Sequence, residues 1–429
     1  MQSKTMKLQI KNILAAILLF FVYSCQTTST TSTSGDSNSS PAVKKIRYER
    51  PKEIPQKRSL LSIPYRTLDT SKTLTTFGFG SCNDQNLPQP LWKMIKARNP
   101  QLFLMMGDNV YASKPANRPI MDQYVKLNEN IDYLALREAV PFMATWDDHD
   151  YGQSDGGEDN PYKQEARKIF GQYWTYLKNI IPKDQGAIYH SRLIGEGKKR
   201  VQIIMLDTRY DRSPLVKAPE PAPVMIPVVP PLPTTPILNS SENKAELKAD
   251  NNAAPVPLPP KPITPPPMPK MYGLNSDPKA HILSNEQWKW LESELKKPAE
   301  LRIIVSSIQF IADDHGFEKW GNFPLERKKF LDLLNKNNIR NAVILSGDRH
   351  LAAVAKIQLN KKTELYDITS SALNRPTPAK ELEVDQTYVT PTYLGINFGL
   401  ATIDWSKRQL EIQIIGEDDK AQMNQTIKF

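Results

Sequence analysis

Short apolar runs of strand length alternate with amphipathic stretches along most of the chain. The run Leu102–Met106 has no polar residue and ends at Gly107, which is typical of a strand buried on both faces. The other predicted strands are rich in apolar residues, and several of them also include polar ones: Leu74–Phe79, Pro141–Thr145, Ala187–Leu193, Val201–Leu206, Leu301–Ile308, Ala342–Leu345, Val354–Leu359, Leu365–Ser370, a segment through Ile403, and Leu410–Ile415.

Helical periodicity lies between several of these runs. Apolar residues recur at i, i+3 and i+4 over Lys163–Ile180, which predicts an amphipathic helix. Ser284 and Gln287 form a capping box that opens a second helix over Trp288–Lys297. Trp92–Ala97 and Pro324–Leu334 also have helical character. The alternation of strands and helices predicts an α/β fold.

Side chains of the types that bind metals follow four of the predicted strands. Taken singly, each has a simpler explanation as a turn, a helix cap, a buried thiol or a solvated loop. On alternating strands of one predicted sheet they would meet at one edge, and carboxylate and histidine donors there are what a dinuclear metal site requires. The four groups are Cys82; Asp108 with Tyr111; Asp147, Asp148, His149 and Asp150; and Asp348 with His350.

Proline is concentrated in one part of the chain. Half of the 36 prolines lie between Pro214 and Pro269, and neither a helix nor a central strand tolerates that density. Residues 214–270 are therefore predicted to be a disordered or polyproline insertion that loops out of a single domain. A proline-rich ligand for a binding partner is the alternative.

The N-terminus has the pattern of an export signal. Three lysines precede the apolar run Ile13–Val22, which is too short for a comfortable membrane span. Ser24 and Cys25 then form an ending similar to a bacterial lipobox. We expect a signal peptide over residues 1–25, lipidation at Cys25, and anchoring to the cell envelope, facing the periplasm or at the outer membrane. An ordinary secretory signal and an uncleaved anchor stay open as alternatives.

The distribution of charge limits the classes of binding partner, and the cysteine content limits the possible disulfides. Residues 26–60 are rich in Ser and Thr and then basic, which predicts a flexible linker before a domain at residues 61–429. Residues 1–60 contain ten of the Lys and Arg and three acidic residues, so the rest of the chain carries only about +3 of the net +10. Nucleic acid is therefore not expected as a stable partner.

With Cys25 lipidated, Cys82 has no disulfide partner, and catalysis, a metal or simple burial must explain why a free thiol is present.

The order of the motifs resembles a known family. Gly-Asp-x-x-Tyr, Trp-Asp-Asp-His-Asp and Gly-Asp-Arg-His, with Ser-Cys upstream, look like the PhoD-like alkaline phosphatases of the metallophosphatase (calcineurin-like) superfamily. Leu206-Asp207-Thr208-Arg209 and Ser284–Leu291 fit the same pattern. The resemblance covers residues 73–415 apart from the insertion. It implies an α/β/β/α sandwich of two mixed sheets flanked by helices.

The resemblance also implies a set of metal ligands. Fe³⁺ would be held by the Cys82 thiolate, the Tyr111 phenolate and His350. Asp108 would bridge Fe³⁺ and Ca²⁺, while Asp348 and one aspartate of the third motif would bind Ca²⁺. Asp148 holds the family position in that motif, with Asp147 as the alternative, and Zn²⁺ or Mn²⁺ are alternatives to the two metals.

The implied reaction is hydrolysis of small-molecule phosphate monoesters, and of diesters as a second class, by attack of metal-bound hydroxide on phosphorus. His149 would stabilise or protonate the leaving oxygen. Asn83, Arg209 and Arg349 would hold phosphate oxygens. Of the histidines outside the motifs, His190 and His281 are expected to be structural, and a place in the lining of the pocket is the alternative to a structural role for His315.

Two other functions use the same features. One is a cell-envelope binding lipoprotein that keeps the fold without catalysis, and the intact set of ligands speaks against it. The other is an extracellular nuclease or phospholipase on the same metal site, which would differ in the walls of the pocket. We expect a monomer.

Overall fold

The structure is a computed structural model, and it describes residues 63–112, 119–219 and 271–429. The predicted signal peptide, Cys25, the linker and residues 220–270 of the predicted insertion lie outside these ranges. Within the described ranges, no helix is both long and apolar enough to cross a bilayer.

The first of two six-stranded sheets has the order β12-β11-β10-β1-β2-β3. Strands β1, β2 and β3 are parallel, so their C-terminal ends lie at one edge. Strands β10 to β12 continue the sheet in antiparallel pairing. The bounds are β1 Thr76–Gly80, β2 Phe103–Met106, β3 Phe142–Thr145, β10 Asn397–Asp404, β11 Gln409–Gly416 and β12 Ala421–Lys428.

The second sheet has the order β4-β5-β6-β7-β9-β8. Its four middle strands are parallel, and each edge strand pairs antiparallel to its neighbour. The bounds are β4 His190–Ile194, β5 Val201–Met205, β6 Leu301–Ser306, β7 Ala342–Ser346, β8 Ala352–Asn360 and β9 Thr363–Ser370.

Helices flank the sheets and complete the predicted α/β fold of two mixed sheets. Ser284 caps α6 by accepting a hydrogen bond from the backbone N–H of Gln287, which is one half of the predicted capping box. The other half is not formed, because the Gln287 side chain bonds the backbone of Asp207 instead. The bounds are α1 Leu91–Ala97, α2 Ile120–Leu127, α3 Ile131–Ala139, α4 Asp148–Tyr151, α5 Lys163–Tyr173, α6 Asn285–Leu295 and α7 Pro324–Lys336.

Alternation along the central strands divides the core into two layers. Ile203 and Met205 of β5 join the larger cluster, which includes the side chains of the first sheet. Ile204, between them, points to the smaller cluster, which includes α6 and α7. Because successive strand residues face opposite sides, an unbroken apolar run fills both layers.

Two local expectations were wrong, and one strand was missed. The four motif-bearing tips do not share one sheet, because the last of them follows β7 in the second sheet. The helix predicted to Ile180 ends at Tyr173, where Trp174 leaves helical geometry (ψ 68°) and a 3₁₀ turn follows. Strand β12 was not predicted because, as an exposed edge strand, it buries little beyond Met423 and Ile427.

Candidate active site

The ends of β1, β2, β3 and β7 converge on one cluster of metal-binding side chains. Ligand atoms of Cys82, Asp108 and His350 all lie within 4.8 Å of one another. The same holds for two further groups, Asp108 with Asp148 and His149, and Asp147 with Asp148 and Asp348. Asp108 and Asp148 each belong to two groups, so the three groups form one continuous site.

The first group combines a thiol, a carboxylate and an imidazole, and the phenol of Tyr111 lies beside it. Sγ of Cys82 lies 3.6 Å from Oδ2 of Asp108 and 3.1 Å from Oγ of Ser371. The Tyr111 hydroxyl lies 3.0 Å from Nε2 of His350. Burial is nearly complete for Cys82, Asp108 and Tyr111.

The third group consists only of carboxylates. Asp147 Oδ1 accepts hydrogen bonds from Arg209 Nε at 2.6 Å and Ser307 Oγ at 2.5 Å. Asp148 Oδ2 accepts one from the backbone N–H of Asp155 at 2.8 Å. The second oxygen of each aspartate, Asp147 Oδ2 and Asp148 Oδ1, is buried without a hydrogen-bond partner in the described part of the chain.

Four of the predicted ligands have left-handed backbone conformations. The φ angles are 59° at Cys82, 50° at Asp108, 69° at Asp348 and 57° at His350. Non-glycine residues rarely adopt this region, and such strain is concentrated at functional sites. The chain bends sharply as each strand ends, and this bend directs the ligand side chains into the cluster.

Gly107 makes the closest approach between two tips possible. Its φ is 109°, and a Cβ at this position would lie 2.5 Å from Cβ of Asp147. The glycine of the Gly-Asp motif is therefore required both by the turn and by the contact between the β2 and β3 tips.

Burial dominates the acid–base behaviour of the cluster. It raises the pKa of Asp108 and of Asp348 well above the ordinary range, and neighbouring aspartates add to both shifts. Burial likewise raises the pKa of the Cys82 thiol well above its usual value. The pKa of Asp147 rises to about 6 through burial, which outweighs the opposing charge of Arg209. Asp148 differs, because His149 and Arg209 outweigh its burial and lower its pKa to about 2.

The donors fit bound cations. Several buried carboxylates cannot all be ionised at close range unless positive charge lies among them. The orphaned oxygens of Asp147 and Asp148 belong to the group that contains Asp348. The all-oxygen group suits a hard cation, and the group with thiol, phenol and imidazole suits a transition metal.

His149 lies between the two ends of the cluster. Its ring is 4.2 Å from the Tyr111 ring, and its Nε2 is 4.0 Å from Asp148 Oδ1. Its backbone N–H donates to Asp108 Oδ1. Burial lowers its pKa, although the neighbouring Asp148 opposes the shift. The side chain is 20% exposed, so an imidazole with access to solvent faces the site.

The residues predicted to hold phosphate have different surroundings. Asn83 is buried, donates to the carbonyl of Asn109, and leaves Oδ1 without a partner in the described ranges. Arg209 is buried between Asp147 and Glu318 and donates to both. Arg349 pairs with Glu383 and lies over the ring of Phe317.

Arg375 lies close to the cluster and was missed from the sequence. Its guanidinium lies 4.2 Å from the centre of the Tyr111 ring, and it donates to Asp84 Oδ2 at 2.6 Å. Asn374 holds the Asp84 backbone by two hydrogen bonds of 2.7 Å. No motif surrounds Arg375 in the sequence, so only the three-dimensional contact with Tyr111 identifies it.

The remaining histidines lie outside the three groups. His190 is buried and contacts the Tyr176 hydroxyl at 3.1 Å and the Ile188 carbonyl at 2.8 Å. His281 Nδ1 lies 3.2 Å from Ser213 Oγ. His315 is buried near Phe317, the ring that supports Arg349.

Comparison with known proteins now bears on this arrangement. The family described as PhoD-like phosphatase matches residues 121–413. The chain belongs to the PhoD-like phosphatase family. It is thus a metal-dependent phosphoesterase, a hydrolase of phosphoric ester bonds, as the motifs predicted, and the family implies small-molecule phosphate esters as substrates. The matched residues begin after Tyr111. The tips of β1 and β2 lie before them, so the fold brings these tips to the site but the family match does not include them.

One solved structure supports the fold of this PhoD-like phosphatase. One described as "Structure of PhoD" is similar with a TM-score of 0.59 at 14% identity, covering 83% of this chain and 69% of the other. A dimetal phosphatase from Danio rerio gives a TM-score of 0.43 at 11% identity, covering 83% of this chain and 100% of the other. Comparison with curated protein sequences gives no match.

Proposed function

We propose that the chain hydrolyses phosphate monoesters, with diesters as a second class, at a site of two or more metal ions. The observation that carries the proposal is the position of Asp108. This carboxylate belongs both to the group with Cys82 and His350 and to the group with Asp148 and His149. A carboxylate shared by two sets of donors is what a dinuclear phosphoesterase needs.

The two kinds of donor favour two kinds of metal. Cys82, Tyr111 and His350, together with Asp108, would hold Fe³⁺, because thiolate and phenolate are charged donors that suit it. The carboxylates of Asp148 and Asp348, with Asp147 beside them, would hold Ca²⁺, which takes oxygen ligands. Zn²⁺ or Mn²⁺ are the alternatives. Bound metals supply positive charge for the phosphate oxygens and lower the pKa of water.

His149 is the residue placed to assist the leaving group. Its lowered pKa keeps the imidazole largely neutral above pH 7, so that one ring nitrogen donates a hydrogen bond and the other accepts. A donor at the exposed side of the cluster would stabilise negative charge that develops on the leaving oxygen. Asn83, which follows β1, would orient phosphate oxygens from the other side of the cluster.

A buried ion pair between Asp147 and Arg209 holds the carboxylate ligands in position. The ion pair is fully buried and is extended by Glu318. The guanidinium neutralises part of the negative charge of the cluster, and it fixes Asp147 beside Asp148. We therefore assign Arg209 the role of holding the carboxylates, in addition to its predicted contact with phosphate.

We further propose that the enzyme acts outside the cytoplasm as a monomer tethered by lipid at Cys25. The sequence pattern of residues 1–25 and the Ser/Thr-rich segment that follows support this location. Labelling with a radioactive fatty acid tests the anchor, and Cys25→Ala should abolish incorporation.

The experiment that tests the function combines metal analysis with two assays. The purified full chain is analysed for bound elements and assayed with p-nitrophenyl phosphate and bis(p-nitrophenyl) phosphate. We expect at least two metal ions per chain and faster hydrolysis of the monoester. A protein that holds metal but hydrolyses neither ester would favour the binding lipoprotein, and activity on the diester alone would favour the nuclease or phospholipase.

A further inference from the structure

We infer that Arg375 recognises the second negative charge of a phosphate monoester and so gives the site its preference for monoesters over diesters. The inference rests on the proposed function. It assigns a substrate contact to a residue that belongs to none of the sequence motifs.

Arg375 is fixed in place on two sides. Its guanidinium lies over the Tyr111 ring at 4.2 Å, and Nη1 donates to Asp84 at 2.6 Å. Stacking on an aromatic face and an ion pair together orient the planar cation. Asp84 is itself buried, and its other oxygen accepts two hydrogen bonds from Asn86.

The same guanidinium is open to solvent on its remaining side. The Arg375 side chain is 39% exposed, whereas that of Asp84 is 6% exposed. The hydrogen bond to Asp84 uses Nη1, so within the described residues Nε and Nη2 of Arg375 stay available to the oxygen atoms of a ligand. A guanidinium presents such paired donors in the geometry that phosphate oxygens accept.

Arg375 is also close to the reacting groups. The Tyr111 ring, on which it stacks, lies 4.2 Å from the His149 ring and contacts His350 through its hydroxyl. One aromatic ring therefore separates the guanidinium from the cluster.

The other two arginines near the site offer less to an incoming anion. Arg209 is fully buried: Nε and Nη1 donate to Asp147 and Glu318, and Nη2 is buried without a partner among the described residues, so no part of the guanidinium is exposed. Arg349 is 8% exposed and pairs with Glu383. In the parts of the chain that the structure describes, Arg375 is thus the arginine beside the cluster that combines fixed orientation with exposure.

The charge of the phosphate ester determines how strongly a contact with Arg375 stabilises its binding. A phosphate monoester has a second pKa near 6 and is a dianion at pH 8, whereas a diester carries one negative charge. An additional oxygen with negative charge can accept a charge-assisted hydrogen bond from Arg375, and the esterified oxygen of a diester cannot. The contact should therefore lower KM for monoesters more than for diesters.

The test compares Arg375→Gln and Arg375→Lys with the wild-type metal-loaded chain at pH 8. For p-nitrophenyl phosphate we expect R375Q to raise KM by about 10- to 100-fold, the effect of one charged hydrogen bond. For bis(p-nitrophenyl) phosphate the change should stay below about 2-fold, and R375K should recover part of the loss with the monoester. The inhibition constant of inorganic phosphate should rise with KM.

Arg408→Gln is the matched control. Arg408 also lies over an aromatic ring, that of Phe429, and pairs with one carboxylate, that of Glu300, with its side chain 47% exposed. Its substitution should change neither KM. Equal losses on both esters in R375Q, or loss of bound metal, would assign Arg375 to support of Tyr111 and overturn the inference. Absence of hydrolysis in the wild type would instead contradict the proposed function.

Discussion

The hydroxyl of Tyr111 lies 3.0 Å from Nε2 of His350, although the two residues are 239 positions apart in the chain. The contact joins the tip of β2 in one sheet to the tip of β7 in the other. A second buried pair, Tyr176 and His190, has nearly the same separation of 3.1 Å but lies outside the carboxylate cluster. The molecule thus contains both a candidate metal-binding pair and a structural pair of the same chemistry.

Substitution of the two tyrosines should separate these roles. Tyr111→Phe removes a phenolate donor, so we expect loss of one metal ion per chain and a fall in kcat of at least about tenfold. Tyr176→Phe removes buried hydrogen bonds to His190 and to the backbone of Ala144, and it should cost about 1–3 kcal/mol of stability with full metal content. Elemental analysis and thermal unfolding check both, and equal metal content in the two variants would argue against Tyr111 as a ligand.

The choice between Asp147 and Asp148 has a measurable answer. Asp148 belongs to two of the three groups, and its pKa of about 2 keeps it ionised. Asp147 instead shares its charge with Arg209. We expect Asp148→Asn to lose metal while the fold survives. Asp147→Asn should destabilise the chain by about 3–5 kcal/mol, because it leaves Arg209 poorly compensated.

Chemical denaturation with parallel metal analysis distinguishes the two outcomes. Asp207→Asn offers a control, since Asp207 is buried and hydrogen-bonded to Trp146 but lies outside the groups. A larger loss of metal in D147N than in D148N would reverse the assignment.

A chain of hydrogen bonds links Tyr272 to the cluster. Its hydroxyl donates to Asp155 at 2.6 Å, and the Asp155 backbone N–H donates to Asp148 at 2.8 Å. Tyr272→Phe should weaken metal retention about tenfold, because groups that orient a ligand tune its affinity. Tyr366→Phe is the control, since its hydroxyl donates to Glu364, which belongs to none of the three groups. Metal remaining after dialysis against graded chelator gives the comparison, and identical retention would remove Tyr272 from the site.

His190 should make stability depend on pH. Burial lowers its pKa from 6.5 to about 4. Between these values the unfolded chain binds a proton that the folded chain does not, so the contribution is complete above pH 6.5 and is lost as pH falls towards 4. The loss is about 3 kcal/mol. The free energy of unfolding of His190→Gln should fall less than that of the wild type over this range, and parallel curves would contradict the assignment.

The sequence identifies the residues that meet in the candidate site better than it identifies the residues that surround them. Apolar runs that end in Cys82, Asp108 and Asp348 are visible because burial and the left-handed turns both leave a local signal. The partition of β1 and β7 into different sheets leaves no such signal, since a strand buried on both faces looks the same in either sheet.

Contacts between side chains that are distant in the chain could not be predicted from the sequence either. Arg209 contacts Asp147 and Glu318, which lie 62 and 109 positions away, so its motif alone indicated only a cation near phosphate. Arg375 has no motif, and its importance follows from stacking on Tyr111. Edge strand β12 has too few buried residues to produce a strong alternating pattern.

The most direct test of a metal site joined by Asp108 is the number of metal ions per chain in the wild type and in Asp108→Asn. Asp367→Asn, a change in a buried carboxylate hydrogen-bonded to Ser346, is the control. We predict at least two ions in the wild type and in D367N. In D108N we predict loss of both, with hydrolysis of p-nitrophenyl phosphate slowed about 1,000-fold, equivalent to about 4 kcal/mol of barrier. Full metal content and undiminished hydrolysis in D108N would contradict the assignment.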